Sequence, residues 1–169
     1  TWEDQVARAP GGEPYSFSVR EVNQDGSNID WAPAGYTKSG GTGTAAPLQI
    51  TNTFVIVTDS VTANKEWSGG DASARPTVWF KLYRSYVDAQ GQTVTEAVPL
   101  GQAPLKTLPH GTISVTWDNI DQTDSLGRPY TFSVQEVDSA GTDLAWQPLN
   151  YVKSGGTGTA APLQITNTF

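Results

Sequence analysis

The chain has 169 residues, a formal net charge of −7 and a pI near 4.5, and it contains neither cysteine nor methionine. No basic stripe exists to neutralise phosphates, the missing cysteines and the single His110 exclude a thiolate zinc site or a histidine pair, and no apolar run approaches membrane-spanning length. The acidic excess suits a soluble, self-repelling surface, and the lack of oxidisable sulfur fits either chance in a short chain or an exported protein with another kind of staple.

In chain order the first feature is a repeat. Residues 1–54 and 116–169 are copies offset by 115 positions: Tyr15–Val22 matches Tyr130–Val137, and Ser39–Phe54 recurs unchanged as Ser154–Phe169. A copy of this size implies domains strung like beads rather than solenoid turns. No signal peptide is read at Thr1, and the chain is expected to start inside a repeat. Residues 1–54 are then the C-terminal half of a preceding unit, and 55–169 a complete one. Thr53–Ser60, without Gly or Pro, is expected to be a stiff link.

Within the complete unit, Val61–Trp67 alternates as a half-buried strand and Ser68–Asp71 as a turn. Thr77–Arg84 is a second alternating strand, and Asp88–Gln92 a hairpin turn. Thr93–Leu100 alternates weakly, with Pro99 marking an edge. Leu108–Gly111 reads as a turn, so its His110 is no catalyst. Thr112–Trp117 is a strand with Ile113, Val115 and Trp117 in register, followed by a polar loop, Asp118–Arg128, whose Asp118 and Asp121 are solvated. Tyr130–Val137 is a strand, Ser139–Thr142 a turn, and Trp146–Lys153 irregular or a short strand. Ser154–Thr159 is a loop and Pro162–Phe169 the closing strand. About seven short strands and no helical periodicity predict an all-β sandwich.

Three of these strands carry a polar residue on the apolar face. Lys65 follows Val61 and Ala63; Glu136 follows Tyr130, Phe132 and Val134; Asn167 follows Leu163 and Ile165. Two readings fit. In one, a lysine amine kept neutral by burial attacks the asparagine carbonyl, while a protonated glutamate polarises that carbonyl and moves a proton to the departing ammonia. In the other, Lys65 and Glu136 form a buried ion pair with Asn167 as a hydrogen-bond partner. The preceding half carries Glu21 and Asn52 at the matching positions and no matching lysine.

Lys65 before Trp67, Arg75-Pro76 ahead of an alternating strand, Tyr130-x-Phe-x-Val-x-Glu136 and the closing Ile165-Thr166-Asn167 resemble the B-type repeat domain of Gram-positive collagen adhesins and pilins. The resemblance covers 55–169, and 1–54 as a partial copy. It implies an immunoglobulin-like inverse (CnaB-type) β-sandwich in tandem repeats, with a spontaneous Lys65–Asn167 isopeptide bond assisted by Glu136 and an incomplete equivalent site at Glu21 and Asn52. It also implies an extracellular, cell-wall location. No sortase sorting signal and no pilin-type linkage lysine stand out.

Two functions follow. One is a structural stalk repeat, with neighbouring repeats as partners and residues 1–54 completed by a segment outside the chain. The other is a host-protein or glycan-binding module, with Trp31, Trp79 and Trp146 as candidate platforms, or a backbone pilin subunit. No cofactor, metal, nucleic acid or membrane insertion is expected. Neither a nucleophile elbow nor a phosphate loop supports an enzyme beyond single-turnover self-modification.

Overall fold

Apolar alternation makes these segments strand-prone, and long-range pairing sets where each strand ends. The computed structural model describes residues 5–41, 48–156 and 163–169 and divides into two compact units, Thr1–Val55 and Ile56–Phe169. The first unit holds β1 (Tyr36–Gly40) and β2 (Ile50–Phe54), an antiparallel pair that registers Lys38 with Asn52. The second holds β3 (Thr58–Ser68), β4 (Val78–Val87), β5 (Thr93–Ala97), β6 (Lys106–Leu108), β7 (Ser114–Asp121), β8 (Thr131–Val137), β9 (Val152–Gly155) and β10 (Leu163–Thr168). A short 3-10 turn, Ala72–Ala74, is capped by Asp71.

The strands of the second unit form two sheets. One runs β7-β3-β10-β9; in the other, β4 pairs with β8 along Trp79–Ser85 and with β6 and β5 towards its two ends. The unit's first and last strands, β3 and β10, lie side by side and parallel. Between the sheets, Phe80 and Leu82 of β4, Trp117 and Ile120 of β7, Val134 of β8 and Ile165 of β10 are buried. The Trp117 indole N–H donates to the Pro104 carbonyl at 2.8 Å, so the largest core side chain leaves no polar atom unpaired. The unit is an all-β sandwich, as the alternation predicts.

Several boundaries differ from expectation. β3 begins at Thr58, so Thr58–Ser60 is strand rather than link. β7 continues to Asp121, which places Asp118 and Asp121 on a strand and not in a loop. The pairing of β3 with β7 shifts register between Asp59 and Val61, where Asn119 takes a φ of 57°. That bulge moves the inward position by one, so Ile120 is fully buried where simple alternation would have aimed Asn119 inward. Ile113, grouped with Val115 and Trp117 in sequence, lies before β7 and is 64% exposed. Alternation gives no sign of β6, which makes eight strands among the described residues instead of about seven. Ser154 and Gly155 belong to β9 rather than to a loop, while Thr157–Thr159 of that loop and Pro162 fall outside the described residues.

Residues 16–22 of the first unit copy the β8 sequence yet form no strand, because among the described residues no counterpart of β4 pairs with them there. Its aromatics are correspondingly open: Tyr36 is 41% exposed, whereas the equivalent Tyr151 is 6% exposed.

Candidate functional site

The parallel register of β3 and β10 places two inward polar residues as near neighbours. Ile165 registers with Lys65 and Asn167 with Trp67, so Asn167 lies one inward position along from Lys65. Glu136 approaches both from β8 in the opposite sheet. All three are shut away from solvent, with Glu136 and Asn167 fully buried.

One carboxyl group holds the other two side chains. The Lys65 ammonium is 3.2 Å from Glu136 Oε2, and Asn167 Nδ2 donates to Glu136 Oε1 at 3.0 Å and to Oε2 at 3.3 Å. Lys65 Nζ also reaches the Ile165 carbonyl at 3.5 Å and sits 4.6 Å from the centre of the Trp67 ring. Burial pushes the Lys65 pKa down from 10.5 to about 8, with the Glu136 charge opposing the shift. The Asn167 Oδ1 atom is buried with no hydrogen-bond partner among the described residues. Sequence reasoning aimed the amide carbonyl at the carboxyl; in the structure the amide nitrogen faces it instead. That orientation suits delivery of a proton to a departing nitrogen, and it leaves the carbonyl unpaired.

The first unit repeats part of this arrangement. Asn52 Nδ2 donates to Glu21 Oε1 at 3.0 Å, and Glu21 Oε2 has no hydrogen-bond partner among the described residues. Asn52 is exposed and Glu21 half-buried, and among the described residues no lysine is ion-paired with the Glu21 carboxyl as Lys65 is with that of Glu136.

One functional candidate escaped sequence reasoning. Lys153 Nζ donates to the carbonyls of Glu136 at 2.8 Å, Trp146 at 2.7 Å and Leu144. Burial lowers its pKa, with the charges of Glu136 and Asp143 opposing. Lys38 makes the matching contacts with the carbonyls of Glu21, Ile29 and Trp31. The available signal was the recurrence of this lysine in both copies, ahead of the repeated Ser-Gly-Gly.

The other singled-out residues are not brought to the cluster. Trp79 and Trp146 are half-buried and pack edge-to-face at 5.7 Å, and Trp31 is half-buried in the first unit. His110 Nδ1 lies 3.2 Å from the Arg75 carbonyl. Among the described residues, no group of His, Cys, Asp and Glu could hold a metal ion, and no helix is long and apolar enough to cross a membrane.

No family model matches the chain. It is 34% identical over 114 residues to the collagen adhesin of Staphylococcus aureus, a match spanning 65% of the chain and 9% of that protein. Among solved structures it is similar to a single B repeat unit of the collagen binding surface protein of Staphylococcus aureus, with a TM-score of 0.46 and 20% identity over 80% of this chain and 60% of that one. It is also similar to the pilus adhesin SpaC of Lactobacillus rhamnosus GG, with a TM-score of 0.38 and 15% identity over 80% of this chain and 17% of that one. The resemblance to collagen-adhesin B-type repeats read from the sequence is thus matched by the collagen adhesin itself.

Proposed function

We propose that the second unit is a structural stalk repeat of a Gram-positive, cell-wall-anchored surface adhesin, locked by a spontaneous Lys65–Asn167 isopeptide bond that Glu136 assists. The observation that carries this reading is a single buried carboxyl group contacted by both an amine and a side-chain amide. An ordinary ion pair accounts for the amine but gives no reason for an amide with an unpaired carbonyl oxygen beside it.

The chemistry needs no added reagent. A proton passes from the Lys65 ammonium to Glu136, leaving a neutral amine next to a carboxylic acid. The amine attacks Asn167 Cγ, and a new C–N bond forms. The Cγ–Nδ2 bond then breaks as Glu136 delivers its proton to Nδ2, and the second amine proton follows through the same carboxyl. The products are an amide, ammonium and the regenerated carboxylate, the second amine proton leaving with the departing nitrogen. The surrounding core excludes water and fixes the approach. Each group reacts once, so the process is self-modification and not turnover.

The half-buried Trp79–Trp146 pair is packed on itself rather than displayed as an open platform, which favours the stalk over a glycan-binding face. For the first unit, the exposed aromatics and the Glu21–Asn52 pair without a lysine support completion by a segment that brings its own Lys65 equivalent.

Intact mass of the folded chain is the test. The proposal expects a deficit of one ammonia, restored in Lys65→Ala and in Asn167→Ala. A full mass in the parent chain, with no branched peptide after digestion, would overturn it.

A further inference from the structure

Lys153 is a partly buried cation that the cross-linking steps leave unused. It lies on β9, in register with Asn167 of β10. Its ammonium has three donors, and they are spent on three backbone carbonyls, of Glu136, Leu144 and Trp146. Two of these acceptors lie in the connection from β8 to β9. The third belongs to the residue whose carboxyl holds Lys65 and Asn167. Since β8 and β9 are in opposite sheets, Lys153 ties the backbone of the glutamate to the strand paired with the asparagine. A second tie lies close by, where the Val134 N–H donates to the Gly156 carbonyl at 2.8 Å.

We propose that Lys153 is a positioning residue for cross-link formation: by pinning the Glu136 backbone to the strand that registers with Asn167, it sets the carboxyl against the amide. The inference rests on the cross-link reading given above. The copied half supports it. Among the described residues no lysine is ion-paired with the Glu21 carboxyl, yet Lys38 makes the same three contacts, with 2.9 Å to the Glu21 carbonyl and 2.6 Å to that of Ile29. Lys38 likewise registers with Asn52, and the amide of Asn52 still meets the Glu21 carboxyl. The device therefore depends neither on the attacking amine nor on a closed core; it is assembled within the half that carries the glutamate and the asparagine. Its acceptors are carbonyls, so it tolerates the change from Ile29 to Leu144 between the copies.

The test uses the full chain made in a short cell-free pulse, with ammonia loss followed by intact mass. Lys153→Met is expected to slow that loss on the order of tenfold or more, the scale of effect that a small misplacement of reacting groups produces. Lys153→Gln keeps two donors and is expected to fall between. The same substitutions in a Lys65→Ala background, where no bond forms, separate positioning from folding. There the variants should remain folded, and the side-chain amide resonances of Asn167 should move from their Lys65→Ala positions. Ammonia loss at the parent rate in Lys153→Met overturns the proposal. So does unfolding of both variants in the Lys65→Ala background, which would make Lys153 structural only. A parent chain that never loses ammonia overturns the cross-link reading itself, and is recognised without any Lys153 variant.

Discussion

At Lys65 the fold opposes the charge that water would support. Burial lowers its pKa to about 8 from 10.5, so roughly a tenth of the groups are already neutral amine at pH 7. The unfolded chain keeps this proton to higher pH than the folded one. Below about pH 8 the folded state therefore carries the whole penalty, about 3 kcal/mol, and between about 8 and 10.5 stability rises as the penalty is relieved. Asn167→Ala isolates the effect, since it keeps the lysine and its carboxyl but has no amide to attack. Its unfolding free energy should climb through that window, whereas Lys65→Met/Asn167→Ala should lack that climb; equal pH slopes in the two would contradict the shift. Glu136 carries the other half of the chemistry. Glu136→Ala and Glu136→Gln should both fold and keep their full mass, since neither side chain can relay the proton. Closing a loop on the order of 100 residues is worth about 4–5 kcal/mol by chain-entropy reasoning, so both should melt on the order of 10–20 °C below the parent. Ammonia loss at the parent rate in either variant would remove Glu136 from the mechanism.

At the scale of elements, the cluster depends on a close approach between β8 and the end of β9. Gly156 has a φ of 80°, and a Cβ built there would sit 2.2 Å from the Val134 carbonyl oxygen. Gly41 makes the same approach to Val19 in the first unit, at 2.3 Å. Gly156→Ala must therefore both strain the backbone, at roughly 1–3 kcal/mol, and push apart a seam two residues from Glu136. In the Lys65→Ala background it should lower the melting temperature, and with Lys65 present it should slow ammonia loss; an unchanged melting temperature would show that the seam is dispensable. The inward placement of Lys65, Glu136 and Asn167 was legible in the sequence because each sits at period two from apolar neighbours on its own strand. What alternation could not show was anything set by a partner. The β7 bulge exists because β3 shifts register against it, so alternation alone ends the strand at Trp117, four residues early. Residues 16–22 and β8 share one pattern, but only β8 has β4 beside it. Lys153 meets carbonyls from a distant strand and a connection, and no periodicity marks a side chain that bonds to backbone.

For the whole molecule, the parallel pairing of β3 and β10 sets a load path. Tension entering at the start of β3 and leaving at Phe169 would run along β3, cross the proposed Lys65–Asn167 bond and exit along the last residues of β10, sparing β4 to β9. Pulled singly, the second unit should then lengthen by only the few residues outside the bond, and Lys65→Ala should release the whole unit; full extension of the parent would exclude a closed link. The first unit poses a different question, because its Ser39–Phe54 is identical to Ser154–Phe169 and so offers Lys65 a second asparagine. Sequence identity alone cannot choose between Asn52 and Asn167, but the carboxyl can. Lys65 and Asn167 already share Glu136 in a closed core, and moving the lysine to Asn52 would leave that buried glutamate without its cation, a loss of several kcal/mol. Asn52 has its own glutamate, Glu21, and the first unit leaves Tyr15, Phe17 and Tyr36 exposed. Peptide mapping of the chain alone should therefore yield one branched peptide, Lys65–Asn167. When a separately made segment of residues 55–115 is added, a second branch should join its lysine to Asn52 and vanish in Asn52→Ala. A Lys65–Asn52 branch within a single chain would instead show that the halves pair in permuted order, and the boundary proposed between residues 54 and 55 would have to move.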